Sequence, residues 1–263
     1  MSNAFSLDMA LATAREAAQA AGEVIRHYWR HGVAVEHKAD ATPVTVADRE
    51  AEKAIREVIA GTFPGHAFYG EEFGRQGHAG SAYLWLVDPL DGTKSFVRRT
   101  PFLSTQIALM HEGRLVLGVS AAPIFGETMW ACVGGGAHVD GEPVRVSDTA
   151  ELSQASISTG NIATLTRDAR WNALGRLIRD SNRIRGYGDF CHYHLLARGG
   201  LDVVIESDVN ILDIAALTVI VREAGGVFSD LDGGEIGLDT TSVLAAVPAL
   251  HGEVLERMVE ARG

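Results

Sequence analysis

Cysteine is almost absent: Cys132 and Cys191 are the only two in 263 residues. They stand far apart and form no CxxC or Cys/His spacing, which argues against zinc and leaves a reduced, cytoplasmic setting as the expectation. Basic charge is scarce as well. The 23 Lys and Arg are outnumbered by 34 Asp and Glu, a formal net charge of −11. With no dense Lys/Arg run, the chain is expected not to bind nucleic acid. The same acidity repels a phosphorylated substrate, so a phosphate-handling site here would need metal ions to reverse the local sign. No apolar run approaches the roughly 20 residues of a membrane span. Met1-Ser2-Asn3-Ala4 lacks the charged and apolar regions of a secretory signal. There is no internal repeat and no low-complexity linker.

What is present is an ordinary globular balance, 46% hydrophobic and 22% charged, enough for one large domain or two intimate halves. Helical spacing predicts a helix from Asp8, its cap, to about Arg30, and a second from Thr45 to about Ala60, with Val33–Thr42 as a connection. His66–Tyr69 and Tyr83–Val87 read as strands. Leu103–Met110 and Arg114–Ala121 form a hairpin, and Glu127–Cys132 a further strand; Gly134-Gly135-Gly136 is a tight turn. From about residue 150, strands at 155–159, 183–187, 201–206, 227–229 and 242–247 alternate with helices at 166–180, 190–198, 213–224 and 248–261. The expected organisation is an N-terminal α+β half, 1–150, and a C-terminal α/β half, 151–263, with a site in the cleft between them.

One stretch stands out: Trp85-Leu86-Val87-Asp88-Pro89-Leu90-Asp91-Gly92-Thr93. A strand that ends here delivers two carboxylates to its edge, Pro89 restricts the turn and Gly92 admits close backbone approach. Two readings are open: a plain polar turn, or oxygen ligands for a divalent cation beside amides for a phosphate. Elsewhere, Glu71 alone reads as a solvated loop acid and Asp213 as a helix cap. Asp48 has capping-box spacing from Thr45. Yet each sits where a strand ends or a helix begins, the places where α/β proteins gather binding groups. His192 and His194 lie in a helix two residues apart and point in different directions. Ser104 and Ser120 have no His/Asp partners that would make a serine hydrolase. Trp29, Trp85, Trp130 and Trp171 are assigned to the core.

Gly70-Glu71-Glu72, the Trp85–Thr93 stretch and Leu212-Asp213-Ile214-Ala215-Ala216 together resemble the signatures of the inositol monophosphatase superfamily, magnesium-dependent phosphomonoesterases. The resemblance spans the chain; it departs at Leu212, where the family usually has tryptophan. It implies a layered α/β/α/β/α sandwich of the kind shared with fructose-1,6-bisphosphatase, and a homodimer. It implies that Glu71, Asp88 and the Leu90 carbonyl hold one Mg²⁺, and that Asp88, Asp91 and Asp213 hold a second. A third ion would lean on Glu71. Asp48 and Thr93 would activate water, the Gly92 and Thr93 amides would receive phosphate, and Lys38 lies near by.

Arg185-Gly186-Tyr187-Gly188-Asp189-Phe190, with Phe96 and Arg98, is similar to the histidinol-phosphate phosphatase branch. Asp189 and Glu206 could pair with the ammonium and imidazole of histidinol phosphate, with Arg185 close by in the chain; a helix cap is the lesser reading of Asp189. Inositol monophosphate, then a sugar phosphate or a 3′-phosphoadenosine nucleotide, are the alternatives. A protein-binding role independent of phosphatase activity is the alternative of another class.

Overall fold

The computed structural model describes residues 6–32, 35–37, 43–78, 80–167 and 169–260. In chain order the elements are α1 (Leu7–His31), β1 (Val35–His37), β2 (Pro43–Thr45), α2 (Val46–Thr62), β3 (Ala67–Gly70), β4 (Gly74–Gln76), β5 (Tyr83–Asp91) and α3 (Thr93–Val97). Next come β6 (Ser104–His111), β7 (Arg114–Ala122), β8 (Glu127–Cys132), β9 (Ala137–Val139), β10 (Glu142–Val144) and β11 (Ser156–Thr159). The chain closes with α4 (Arg170–Asp180), β12 (Arg183–Arg185), α5 (Asp189–Ala197), β13 (Val203–Ser207), α6 (Ile211–Glu223), β14 (Val227–Ser229), β15 (Ser242–Ala246) and α7 (Pro248–Glu260).

The large sheet has eight strands in the order β10-β9-β8-β7-β6-β5-β3-β4, antiparallel except where β3 runs beside β5. Period-two alternation sorts its side chains between two cores. Trp85, Val87, Ile107, Leu109, Leu117 and Val119 meet the alanine-rich face of α1 and the apolar face of α2. Leu86, Ala108, Met110, Met129 and Ala131 face the other way. There they meet α6, which packs on β5, β6, β7 and β8 and also reaches β14 of the second, five-stranded sheet. A helix covered on both sides must be apolar nearly all round, and α6 buries Ile211, Leu212, Ile214 and every residue from Ala215 to Val221. With α5 beside α6, and α7 and α4 beyond the small sheet, the layers run α/β/α/β/α.

Local details differ from the sequence expectations. Ser6, not Asp8, caps α1, its Oγ accepting from the Met9 amide; Asp8 sits inside the first turn. The long helix expected from Thr166 breaks in two: Leu165 drops into the core, a single 3-10 turn covers 165–167, and α4 starts only at Arg170. The 33–42 connection contains β1, and Lys38 lies outside the described residues. Trp171 is 46% exposed on α4, not in the core.

The approach of α6 to the large sheet is set by Gly118 on β7. A Cβ there would lie 2.3 Å from the Ala216 carbonyl oxygen and 2.8 Å from its Cα, so only main chain could yield. Gly118→Ala is therefore expected to lower stability by about 2 kcal/mol, the cost of overpacking against backbone. A urea midpoint equal to that of the unaltered protein would show that α6 backs away freely.

Candidate active site

Asp88 and Asp91 lie three positions apart on β5, and regular strand geometry would send their side chains to opposite faces. The pairing with β6 prevents this. Asp88 stands opposite Gln106 and Asp91 opposite Ser104, so β5 spends one residue more than its partner across the interval, as a β-bulge. The bulge turns both carboxylates to one side. Its shape is held by the Leu90 amide on Asp88 Oδ1 at 2.9 Å and by the Thr105 hydroxyl on the Pro89 carbonyl at 2.9 Å. Gly92 follows at φ +90°, and a Cβ there would meet the Phe102 carbonyl oxygen at 2.6 Å.

The third carboxylate arrives from the other half of the chain. Asn210 caps α6, and the Asp213 carboxylate closes a capping box by accepting from the Asn210 amide at 3.0 Å. Oxygens of Asp88, Asp91 and Asp213 come within 4.8 Å of one another. Asp88 is buried, and the other two are half-buried. Burial first, and the neighbouring carboxylates next, push the Asp88 and Asp91 carboxyls well above the ordinary range. Asp213 rises to about 7, from burial and then the charges of Glu71 and Glu206, against lowering bonds from Asn210. Oxygen donors crowded to mutual repulsion fit a hard divalent cation, which would remove that repulsion.

Glu71 is exposed at the end of β3, its charge and a hydrogen bond both acting on Asp88. Its turn is fastened by a residue the sequence reading passed over. Glu52, fully buried on α2, accepts from the Glu72 amide at 2.7 Å and the Phe73 amide at 3.2 Å. Gly70 leaves the room this needs, because a Cβ there would fall 2.1 Å from Glu52 Oε1. The available signal was position alone: Glu52 follows Asp48 by one helical turn on the buried side of α2.

Asp48 is held from behind. Its Oδ2 accepts from the Thr45 amide at 2.8 Å and the Thr45 hydroxyl at 2.6 Å, leaving Oδ1 for Thr93 Oγ1 at 2.9 Å. Burial outweighs these bonds and raises the Asp48 carboxyl. The Leu90 carbonyl oxygen lies 3.1 Å from the same Thr93 hydroxyl.

Asp189 opens α5 at φ +47°, after Gly188. Among the described residues nothing hydrogen-bonds its carboxylate, which burial and then the charge of Glu206 raise. Glu206 is occupied: Oε1 accepts from the Asn161 amide at 3.0 Å, and Oε2 from the Tyr193 hydroxyl at 2.8 Å, with His192 Nε2 at 3.1 Å. Burial raises Glu206, but these donors outweigh it and the net shift is downward. His194 points elsewhere, to Ser120 and Glu127. Arg185 is exposed, its guanidinium on the Ile184 carbonyl.

Comparisons with known proteins identify the family. The model of the inositol monophosphatase family matches residues 6–262. A histidinol-phosphatase of Mycobacterium tuberculosis is 41% identical over 229 residues, 85% of this chain and 87% of that protein. The extragenic suppressor protein suhB of Bartonella henselae superposes with a TM-score of 0.88 at 29% identity, covering 95% of this chain and 98% of the other. An inositol monophosphatase from Anabaena gives 0.85 at 28% identity, covering 97% and 96%.

The clustered carboxyls have a thermodynamic sign. Folded, they keep protons that the unfolded chain releases above its ordinary 3.8, so their contribution to metal-free stability falls as pH rises toward about 7. Buried His194 and half-buried His66 and His251, all lowered by desolvation, act oppositely below 6.5. Comparison with a variant cancels them. Metal-free Asp88→Asn protein is expected to gain in Tm relative to the unaltered protein between pH 5 and pH 8, and Mg²⁺ at pH 8 to reverse the difference. An unchanged gap in melting scans would mean that the carboxylates ionise without mutual cost.

Proposed function

Since the chain belongs to the inositol monophosphatase family and is a phosphatase, we propose that its substrate is histidinol phosphate, hydrolysed to histidinol and phosphate with Mg²⁺. The observation that carries this choice is the unpaired Asp189 carboxylate beside an ionised, buried Glu206. His192 sits on Glu206, and the charges of His192 and Lys94 offset only part of the rise at Asp189, so the pocket stays acidic; an ammonium and an imidazole would neutralise it, whereas a neutral inositol ring would leave the charge in place. Because the Glu206 oxygens already hold protein donors, Glu206 acts through its charge, and Asp189 is the acceptor for a substrate N–H. The 41% identity to a histidinol-phosphatase supports the same reading. Arg185, a few residues before Asp189 in the chain, belongs to it as a further substrate residue.

Enzymes of this family are metal-dependent. Glu71, Asp88, Asp91, Asp213 and the Leu90 carbonyl would hold two or three Mg²⁺, which polarise phosphate oxygens and offset their charge. The chain's own part is to orient and to move a proton. The Gly92 and Thr93 amides receive the phosphate; Thr93 Oγ1 orients the attacking water and passes its proton to Asp48 Oδ1. The raised Asp48 carboxyl makes a stronger base than an ordinary aspartate. A homodimer, from the family resemblance, and a cytoplasmic location, expected from the sparse cysteines and the lack of a secretory signal, complete the proposal.

Steady-state rates with Mg²⁺ on histidinol phosphate and inositol 1-phosphate test the substrate. The expected order is a higher kcat/KM for histidinol phosphate, and the reverse order rejects the choice. Asp189→Ala should cost about 10- to 100-fold on histidinol phosphate, the worth of a hydrogen bond to a charged group, and much less on the inositol ester. Equal losses would remove Asp189 as the selector.

A further inference from the structure

Behind Asp91, buried polar side chains run from the large sheet to α5, and their donors fall into one consistent order. Ser104 Oγ donates to Asp91 Oδ2 at 3.1 Å. With its hydrogen used, that hydroxyl accepts from Gln106 Nε2 at 2.8 Å. The second amide hydrogen goes to Ser120 Oγ at 3.0 Å, which passes its own to His194 Nε2 at 2.8 Å. The ring hydrogen of His194 is therefore on Nδ1, which donates to Glu127 Oε1 at 2.7 Å, while Arg198 takes Glu127 Oε2 at 2.7 Å. Ser104, Gln106, Ser120 and His194 are all fully buried, so no water competes for these bonds.

Gln106 is the pivot. Both Nε2 hydrogens are placed, and Oε1 has no partner. Were the amide turned over, Oε1 would stand between the two serines and could accept from both, and the Ser104 hydrogen would leave Asp91. The present orientation holds because Ser120 has a better acceptor for its hydrogen, the His194 ring. Burial pushes the His194 imidazole below its ordinary range, which keeps Nε2 unprotonated.

We propose that His194 is a positioning residue for the cation site: by accepting the Ser120 hydrogen it fixes the Gln106 amide, which keeps the Ser104 hydroxyl on Asp91. His194 shares α5 with Asp189, so one chain of bonds ties the helix of the substrate pocket to a metal-facing carboxylate. The inference rests on Asp88, Asp91 and Asp213 forming a cation site.

Calorimetric titration with Mg²⁺, in the absence of substrate, provides the test. His194→Phe, Ser120→Ala and Ser104→Ala are each expected to weaken the apparent Mg²⁺ Kd by about 10-fold, the lower end for partners that orient a metal ligand. The Ser120→Ala/Ser104→Ala double variant should bind no more weakly than Ser104→Ala alone, since both act through one bond to Asp91. Melting scans on the same samples report folding, and Ser120→Ala, which removes a single oxygen, carries the test if His194→Phe does not fold. A folded Ser120→Ala protein with a Kd within about twofold of the unaltered protein, or losses that multiply in the double variant, would overturn the proposal. Failure of the unaltered protein to bind Mg²⁺ would remove the cation site itself, and this inference with it.

Discussion

Three carboxylates that repel one another within 4.8 Å are the constraint around which the molecule is arranged. Nothing in their own chemistry brings them together; each is forced there by structure that is stable for other reasons. Asp88 and Asp91 are carried by a strand buried on both faces, and Asp213 by a helix sandwiched between two sheets. The layers supply the burial energy that the site spends, as sites built on strain or repulsion require. This division also accounts for the plain character of the surroundings. Alanine-rich α1, the alternating strands and the apolar α6 are devoted to packing, while chemistry is confined to the places where they end.

Much of this was legible in the residues. Alternation along 103–121 marked a hairpin whose two faces now belong to two cores, and the Thr45–Asp48 spacing marked a capping box that the structure contains. Other features left no trace at the level of pattern. The spacing of Asp88 and Asp91 taken as a strand would have separated them, and the bulge that unites them depends on what stands opposite, Gln106 and Ser104. Register is a property of two strands, so one strand read alone cannot display it. Ser104 and Ser120 read as serines without partners, His194 as one of two helical histidines pointing apart, and Gln106 went unnoticed; they become one network only after β6, β7 and α5 are stacked. Glu52 was hidden for a related reason, since its partners are backbone amides one element away.

In the proposed function, reaction and recognition occupy different parts of the chain. The groups that would face a phosphate and its cations lie mostly between Asp48 and Thr93, while Asp189 and Glu206 come from α5 and β13 of the small-sheet side. The two sets touch through charge, as Asp91 and Asp189 each feel Glu206. A fold so divided can retain its hydrolytic groups while the recognising helix changes. That agrees with the variety of named relatives sharing this architecture at 28–41% identity.

The position of α6 also bears on how the protein is made. The large sheet is synthesised before α6, and until that helix emerges the face formed by Leu86, Ala108, Met110, Met129 and Ala131 has no cover. A nascent chain at that stage carries Asp88 and Asp91 without Asp213, together with an apolar sheet face of the kind that attracts chaperones or neighbouring chains. A cation that needs all three carboxylates ignores this half-built form and favours only the closed one. An ion so held would act as a latch on the finished polypeptide, and the supply of divalent cation would become part of the protein's folding environment.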